Sequence, residues 1–237
     1  MNKSKIAIVI QCKDGATRYE EKSVRPFYKG KSILKIIIDK LTHLPYPIIL
    51  ATTPSSPITM SIGRVSGLNI VVCEEGDVLA QFCKIVEDYK LDGVIRICAD
   101  NPFIQLPLMA PLFMWEGYDY VAFENAMQRH EGFFVEYISA FALLDSDTEH
   151  LMSYDREHVT PFIYNNSDTY DIKWLKIPEE LTVFKIRLTV DTKEDFELAQ
   201  EVYKHVGERH WHYIVDYLYY RPYLIRRMEE NIRRNEK

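Results

Sequence analysis

Two aspartates directly follow apolar runs that have the composition of buried strands. Asp100 ends the run that begins at Gly93, and Asp191 follows Val183–Val190. In open α/β sheets, ligands bind beyond the carboxyl ends of the strands, and neighbouring strands bring such ends together. Two adjacent carboxylates repel each other, and Mg²⁺ relieves that repulsion while it also binds phosphate oxygens. The pair therefore predicts a magnesium site, although Asp100 taken alone is explained equally well by a turn before Pro102.

The loop after the first predicted strand has the charges that a phosphate group requires. Gln11–Pro26 is polar, and its basic residues are Lys13, Arg18, Lys22 and Arg25. Backbone amides at residues 15–17 are suited to cradle a phosphate, and a helix predicted from Ser32 adds its positive end. Each cation alone is as well explained by an exposed surface charge, but together they favour a phosphate-binding loop.

The rest of the chain alternates between strand and helix patterns. The predicted strands are Ile6–Ile10, Pro47–Ala51, Leu68–Val72, the run ending at Asp100, Tyr118–Phe123 and Val183–Val190. The predicted helices are Ser32–Leu44, Pro57–Val65, Asp77–Tyr89, Leu106–Trp115 and one capped by Thr192. This alternation predicts an α/β fold with a doubly wound, mostly parallel (mixed) nucleotide-binding sheet.

Residues 1–237 are predicted to form a single domain with two less regular parts. Within 125–178, Phe133–Ile138 has strand character, Arg156–Asn165 reads as a short helix interrupted near Pro161, and the alternation in Thr169–Ile177 favours an antiparallel strand. Such an inserted arm serves dimerisation or forms a substrate wall, and a plain structural insertion is an equally good explanation. Residues 209–237 are expected to form a helical tail.

Composition excludes several classes of partner. The 237 residues are 47% hydrophobic and have a net charge of −6, which argues against binding to nucleic acid or to an anionic membrane surface. No apolar run reaches the length of a membrane span. The four cysteines lack CxxC spacing and read as reduced thiols, which predicts a cytoplasmic protein. No GxGxxG motif follows the first strand, which argues against a dinucleotide-dependent dehydrogenase.

Several segments match motifs of a known enzyme family. Cys12–Lys22, Arg96–Pro102, Arg156–Ile163 and Arg187–Phe196 are similar to the patterns A-R-x-G-S-T-R-L-P-G-K, R-I-T-G-D-x-P, R-E-H-V-T-P-Y-I and R-L-T-V-D-T-P-E-D-F. Asp77–Leu79 resembles a D-V-L motif, and Glu136 stands where the family has a glutamate. The chain thus resembles the CMP-sugar synthetase-like cytidylyltransferases, in particular the group for spore-coat and surface polysaccharide synthesis.

The resemblance implies an enzyme that transfers CMP from CTP to an acidic sugar or related hydroxyl acceptor and releases pyrophosphate. It implies Mg²⁺ as cofactor, held by Asp100 and Asp191, which act in catalysis with Lys22. The implied nucleotide-binding residues are Lys13, Gly15, Ala16, Thr17, Arg18, Lys22 and Asp77. The implied acceptor-binding residues are Arg96, Glu136, Arg156 and His158. From the residues alone, His158 is as well explained by a structural turn. A homodimer is also implied.

The first motif, Cys12–Lys22, departs from the family pattern in the part expected to bind polyphosphate. Glu20 and Glu21 stand there in place of the family's proline and glycine. A carboxylate ~4 Å from a phosphate charge costs about 1 kcal/mol in water and about 4 kcal/mol at an effective dielectric of 20. We therefore expect these side chains to point outward, to bind metal, or to indicate another donor. A nucleotide-binding homologue with impaired catalysis and a nucleotide-sugar glycosyltransferase are the alternatives.

Overall fold

A computed structural model describes residues 5–15, 18–114, 117–125, 131–183 and 185–235. The strands are β1 (Ile6–Gln11), β2 (Pro26–Tyr28), β3 (Lys31–Ser32), β4 (Ile48–Thr52), β5 (Asn69–Val72), β6 (Gly93–Cys98), β7 (Tyr120–Phe123), β8 (Glu136–Ser139) and β9 (Ile172–Leu175). Within these ranges, seven of the strands form one sheet in the order β5-β4-β1-β6-β8-β7-β9, and β2 pairs separately with β3. Only β8 runs antiparallel to its neighbours in the large sheet.

Helices cover both faces of the sheet. They are α1 (Ile33–Leu41), α2 (Pro57–Val65), α3 (Val78–Tyr89), α4 (Leu106–Met109), α5 (Ala140–Ser146), α6 (Ser153–His158), α7 (Pro161–Asn165), α8 (Lys193–Val206), α9 (Trp211–Tyr219) and α10 (Pro222–Asn235). Successive side chains of β1 point to opposite faces, so Ile8 packs in the core with α1, α8, α9 and α10, whereas Val9 packs in the core with α3, α5 and α7. The predicted α/β class with a mostly parallel, mixed sheet is confirmed.

The order of the strands creates a crevice between β1 and β6. The chain adds β4 and β5 on one side of β1, then crosses the opposite face through α3 and adds β6 on the other side. In parallel sheets, such a reversal of strand order opens a crevice at the carboxyl ends of the two strands. Gln11 pairs with Cys98, so both strands end at the same level, and Asp100 lies at the crevice.

The predicted strand Val183–Val190 is wrong for the residues that the structure describes in that range. They include an isolated bridge residue, Arg187, and no continuous strand. Ile186, Leu188 and Val190 are all buried in the core beside α8. An alternating pattern reports burial of every second side chain, and this segment achieves that burial without a ladder of backbone hydrogen bonds.

The segment 125–178 is only partly the insertion that its irregular pattern suggests. Its described residues contribute β8 and β9 to the central sheet, and β9 lies at the edge. The antiparallel strand predicted over Thr169–Ile177 is wrong in direction, because β9 runs parallel to β7 with Tyr120 opposite Ile172. The periodicity of one strand indicates its buried face and contains no information about the direction of its neighbour.

Several element boundaries also differ from expectation. The helix predicted over Leu106–Trp115 is α4 followed by a 3₁₀ turn, Ala110–Phe113, and the prolines at 107 and 111 shorten the regular helix. Trp115 itself lies outside the described residues. In the range expected to form a helical tail, the described residues form α9 and α10. Across the described ranges, no helix is both long enough and apolar enough to cross a membrane.

Candidate active site

A cavity of about 320 Å³ opens at the crevice between β1 and β6. The β1 side contributes Gln11, Cys12, Lys13, Arg18 and Lys22, and the β6 side contributes Arg96, Cys98, Ala99 and Asp100. Its remaining walls include Thr52 and Thr53 at the end of β4, Gly76 and Gln81 around the start of α3, Glu157 and His158 of α6, and Asp191. The cavity therefore combines cations, acidic side chains and a neutral polar wall formed by Thr52, Thr53 and Gln81.

Asp100 and Asp191 converge on one ammonium group. The Nζ atom of Lys22 lies 3.2 Å from Oδ2 of Asp100 and 3.1 Å from Oδ1 of Asp191. Burial opposes the charge on Lys22, but the two carboxylates outweigh burial and raise its pKa above the ordinary value. Burial also opposes the charge on Asp191, but Lys22 and Arg18 outweigh it and lower its pKa. Lys22 and Asp191 are therefore both charged at neutral pH.

Backbone pairing, rather than a second strand, brings the two aspartates together. The N–H of Val190 donates to the carbonyl of Asp100 at 2.9 Å, and the N–H of Ala99 donates to Gln11 at 3.0 Å. The Val190 carbonyl in turn accepts from Lys22. These bonds place the end of β6 beside residues 190–191, so the predicted convergence occurs by a route that the strand pattern did not indicate.

A buried ion-pair relay holds Asp191 from behind. Arg187 donates from Nη2 to Oδ2 of Asp191 at 3.0 Å, and from Nε and Nη2 to the carboxylate of Asp195 at 2.8 Å each. Asp195 also completes the capping box of α8 with Thr192. The sequence analysis assigned no role to Arg187 or Asp195, although the i, i+4 and i, i+8 spacing of these charges is present in the sequence.

The donor set at this edge suits a hard divalent cation. Among the described residues no group of three or more His, Cys, Asp or Glu is arranged to hold a metal. Mg²⁺, however, typically takes only one or two protein carboxylates and completes its shell with phosphate oxygens and water. The Oδ1 atom of Asp100 is buried and has no hydrogen-bond partner in the described part of the chain. A buried carboxylate oxygen without a donor is the feature that a bound cation satisfies.

The loop predicted to bind phosphate is anchored through Asp14, which the sequence analysis did not single out. Its carboxylate accepts from the N–H groups of Ile58 and Thr59 at 2.8 and 2.9 Å and from the Thr59 hydroxyl at 2.7 Å. The carboxylate thereby satisfies free amides in the first turn of α2. Lys13 is exposed at the cavity wall, while Ala16 and Thr17 lie outside the described residues.

Two loop residues lie elsewhere than the phosphate-loop hypothesis places them. Gly15 is exposed and is not among the described residues that line the cavity. Arg25 is also absent from the lining and stacks over the ring of Tyr19, 4.6 Å from its centroid. Arg18 does line the cavity and lies 3.3 Å from Oδ1 of Asp191.

Glu20 and Glu21 are not among the described residues that line the cavity. Glu20 is exposed, so its charge is solvated away from the site. Glu21 has a φ of 57°, a left-handed conformation that glycine adopts without strain. The left-handed backbone at this position therefore explains why the family pattern has a glycine there. In this chain, the N–H of Glu21 donates to the carbonyl of Asp14 at 2.9 Å.

Arg96 faces the cavity and is fixed by a buried polar network. Its guanidinium donates to Oε1 of Glu136 at 2.6 Å and to Oε1 of Gln11 at 3.1 and 3.3 Å. The other oxygen of Glu136 accepts from the hydroxyls of Tyr120, at 2.5 Å, and Thr160, at 3.2 Å. Glu136 is itself absent from the described lining residues, so its position is behind Arg96.

A strained turn positions His158. Val159 has φ 72° and ψ −53°, and the N–H of Thr160 donates to the carbonyl of His158 at 2.9 Å, which together define a γ-turn of the rare hand. A β-branched residue in this conformation is a true outlier, and such strain clusters at functional sites. The turn separates α6 from α7, so His158 reaches the cavity while Thr160 reaches Glu136.

Asp77 and Arg156 bind each other. Oδ1 of Asp77 caps α3 by accepting from Ala80, and its Oδ2 accepts from Arg156 at 2.6 Å. Arg156 also donates to Asp147 at 2.9 Å. Neither Asp77 nor Arg156 is among the described lining residues, although Gly76 and Glu157 beside them are. The direct contacts predicted for this pair therefore stay a prediction, and the observed contacts join α3 to α6.

Comparison with known proteins establishes the family. The sequence model of a family described as "Cytidylyltransferase" matches residues 7–220. The chain belongs to the cytidylyltransferase family. The spore coat polysaccharide biosynthesis protein SpsF of Bacillus subtilis (strain 168) is 30% identical over 216 residues, which cover 86% of this chain and 88% of SpsF. The suspected family is thereby confirmed, and the chain is a CTP-dependent nucleotidyltransferase.

Solved structures share the fold of this cytidylyltransferase. A cytidylyltransferase from Leptospira borgpetersenii serovar Hardjo-bovis has a TM-score of 0.82 at 24% identity, with 94% of this chain and 97% of the other covered. CMP:2-keto-3-deoxy-manno-octonic acid synthetase in complex with CTP has a TM-score of 0.61 at 13% identity, covering 85% and 99%. Rv0371c of Mycobacterium tuberculosis H37Rv in complex with manganese has a TM-score of 0.59 at 14% identity, covering 84% and 98%.

Two thiols also line the cytidylyltransferase cavity, and both are poor nucleophiles. Burial raises the pKa of Cys12 to about 12 and that of Cys98 to about 11. Because the thiolate is the reactive form, both side chains stay protonated and inert at neutral pH. Neither thiol therefore provides a route to a covalent intermediate.

Proposed function

We propose that this cytidylyltransferase transfers CMP from CTP to a hydroxyl group of an acidic sugar or related small acid and releases pyrophosphate. The observation that supports the proposal most directly is the convergence of Lys22, Asp100 and Asp191 in the crevice between β1 and β6. SpsF is named for spore coat polysaccharide biosynthesis, and we extend a role in surface polysaccharide synthesis to this chain on that basis.

Asp100 and Asp191 are the residues that would hold Mg²⁺. The Oδ1 atom of Asp100, which has no hydrogen-bond partner within the described ranges, supports this assignment, and a protein of the same fold binds manganese. When bound, such an ion neutralises charge on the phosphate and lowers the pKa of an attacking hydroxyl. Arg187 orients Asp191 for this role, and the backbone bond from Val190 to Asp100 fixes the distance between the two carboxylates.

Lys13, Arg18 and Lys22 bind the triphosphate in this proposal. All three line the cavity, and Lys13 and Arg18 are exposed enough to meet an incoming nucleotide. Phosphoryl transfer depends mainly on positioning and on electrostatic stabilisation, so fixed cations around the departing pyrophosphate supply much of the rate. Asp100 and Asp191 lie among these cations, so the site combines acidic and basic side chains and is not built for anions alone.

Arg96 and His158 form the acceptor side. The bonds of Arg96 to Gln11 and Glu136 occupy one N–H on each of its nitrogens, so further donors remain for the carboxylate of an acidic acceptor. Glu136, which accepts from the Thr160 hydroxyl, holds the guanidinium, and the strained turn at Val159 positions His158. Asp77 and Arg156 then shape this wall through their mutual ion pair.

A homodimer in the cytoplasm is part of the same proposal. β9 is an edge strand, and Trp174 on it is half exposed, so this edge is the candidate contact between subunits. The four cysteines are free thiols, as is usual in a reducing compartment.

Pyrophosphate release is the test of the proposal. With CTP, Mg²⁺ or Mn²⁺ and a panel of sugar acids and small hydroxy acids, we expect acceptor-dependent release of pyrophosphate, and we expect EDTA to abolish it because the carboxylates then lack their cation. Binding of CTP without turnover across the panel would favour an impaired homologue. Release of a nucleoside diphosphate from a nucleotide sugar would favour a glycosyltransferase.

Gln81 offers a test of base preference at the neutral wall. Its Nε2 lies within hydrogen-bonding distance of the carbonyls of Thr52 and Cys73, at 3.4 and 3.5 Å, so the amide oxygen is the group left for a ligand. An amide oxygen accepts from the exocyclic amino group of cytosine, whereas uracil has an acceptor there. We expect Gln81→Leu to lower kcat/KM for CTP by about tenfold or more. The ratio of kcat/KM with CTP to kcat/KM with UTP should decrease as well.

The control for this measurement is Gln200→Leu, since the amide of Gln200 bonds the carbonyl of Phe27 and lies outside the described lining of the cavity. If Gln81→Leu stays active and its ratio of kcat/KM with CTP to kcat/KM with UTP is unchanged, Gln81 does not select the base.

A further inference from the structure

The last helix contacts the ion pairs behind the candidate active site, although it lies beyond the family match. The match ends at residue 220, and α10 covers Pro222–Asn235. Leu224 and Met228 on α10 are buried in the core that includes α8, and Ile232 on the same helix is also buried. Asn231 is buried between them, with 7% of its surface exposed, so it is the polar exception on the packed face of this helix. A buried amide at such a position is expected to have a specific partner.

The partner of Asn231 is the carboxylate behind Asp191. Nδ2 of Asn231 donates to Oδ1 of Asp195 at 3.2 Å, on the same oxygen that accepts from Nε of Arg187 at 2.8 Å. The side chain of Asp195 is fully buried, and its other oxygen accepts from Arg187 and from the N–H groups of residues 191 and 192. Asn231 therefore supplies one of the donors that keep a buried carboxylate charged and in place.

The side chain of Arg187 links α10, through Asp195, to Asp191 at the cavity. One nitrogen of Arg187, Nη2, donates to Asp195 at 2.8 Å and to Asp191 at 3.0 Å, so the position of one carboxylate sets the position of the other. We propose that Asn231 is a positioning residue that fixes Asp195, and through Arg187 fixes the Asp191 carboxylate that binds the divalent cation. This inference rests on the proposed function, since it assigns Asp191 to that cation.

The chemistry of the amide distinguishes positioning from simple packing. Asn231→Leu keeps a side chain of similar volume but removes the donor, and Asn231→Asp keeps the shape but places a second acceptor against Asp195. If Asn231 only filled space, leucine would serve as well, because its neighbours on α10 are apolar. If it positions Asp195, activity is highest in the wild type, lower in Asn231→Leu and lowest in Asn231→Asp.

Steady-state kinetics of the full chain provide the first readout. Outer-sphere partners of metal ligands typically contribute about 10–100-fold to activity or metal affinity. We expect Asn231→Leu to lower kcat by about tenfold, with the KM for CTP changed by less than about twofold, and Asn231→Asp to lower kcat further. The matched control is Ile232→Val, which removes a buried methyl group from the next position of α10 and should lower the melting temperature without changing kcat.

Titration with Mn²⁺ in the presence of CTP, followed by electron paramagnetic resonance, provides a second readout that needs no turnover. We expect Asn231→Leu to weaken Mn²⁺ binding by about tenfold and to leave CTP binding without metal unchanged. Wild-type kcat and Mn²⁺ affinity in Asn231→Leu would overturn the proposal, as would a loss of kcat that Ile232→Val reproduces at equal loss of stability. A wild-type protein that binds Mn²⁺ and CTP but releases no pyrophosphate would contradict the proposed function, and the titration would still decide the role of Asn231.

Discussion

Replacing Asp100 with asparagine is expected to lower kcat for pyrophosphate release by about a thousandfold or more. The carboxylate follows β6 at the crevice, faces Asp191 across Lys22, and has a buried oxygen with no hydrogen-bond partner among the described residues. An amide has the same shape but no charge with which to hold a divalent cation. Charge stabilisation by such an ion supplies several kcal/mol, and each 1.36 kcal/mol corresponds to about a factor of ten in rate.

The same substitution should leave the fold intact, which separates catalysis from stability. Asparagine still accepts a hydrogen bond from Lys22, and it removes the repulsion between two neighbouring carboxylates. We therefore expect the free energy of unfolding to change by less than about 1 kcal/mol. The matched control is Asp88→Asn, which makes the same chemical change in the exposed pair with Lys84 and should leave kcat unchanged. Full turnover by Asp100→Asn would remove Asp100 from the mechanism.

Replacing Lys22 with methionine is expected to lower kcat by about a hundredfold or more. The ammonium is largely buried, stays charged because two carboxylates raise its pKa, and lies beside both proposed metal ligands. Removal of one fixed, charge-stabilising donor from a catalytic site typically costs about 10²–10³ in kcat. Methionine preserves most of the length and apolar contact of the lysine stem, so the lost charge dominates the effect.

Metal binding should respond to Lys22→Met in the opposite direction from catalysis. In the structure, Lys22 donates to both Asp100 and Asp191, so it competes with any ion that binds between these two carboxylates. Without nucleotide, Mn²⁺ should therefore bind Lys22→Met more tightly than wild type, measured by electron paramagnetic resonance. Lys84→Met is the matched control, because Lys84 pairs with Asp88 on the surface. Weaker Mn²⁺ binding in Lys22→Met, or unchanged turnover, would contradict this account of the site.

Local sequence determined the parts of this protein that depend on short-range chemistry. The apolar run before Asp100 specified a buried strand, and the observed strand Gly93–Cys98 ends just before it. The polar loop with Lys13, Arg18 and Lys22 indicated a phosphate site, and all three side chains line the cavity. These features could be predicted because strand burial and charge clustering are both expressed within about ten residues of chain.

Tertiary structure alone decided which distant groups meet. The pattern before Asp191 indicated a strand, yet a bond from Val190 to Asp100 and the relay through Arg187 hold this residue in place. The pairing of Asp77 with Arg156 and of Asn231 with Asp195 spans long stretches of sequence. Period-two hydrophobicity reports that a side chain is buried, but it identifies neither the partner strand nor the buried counter-charge. Those depend on the three-dimensional path of the backbone, because hydrogen bonds and ion pairs form between atoms a few ångströms apart in space.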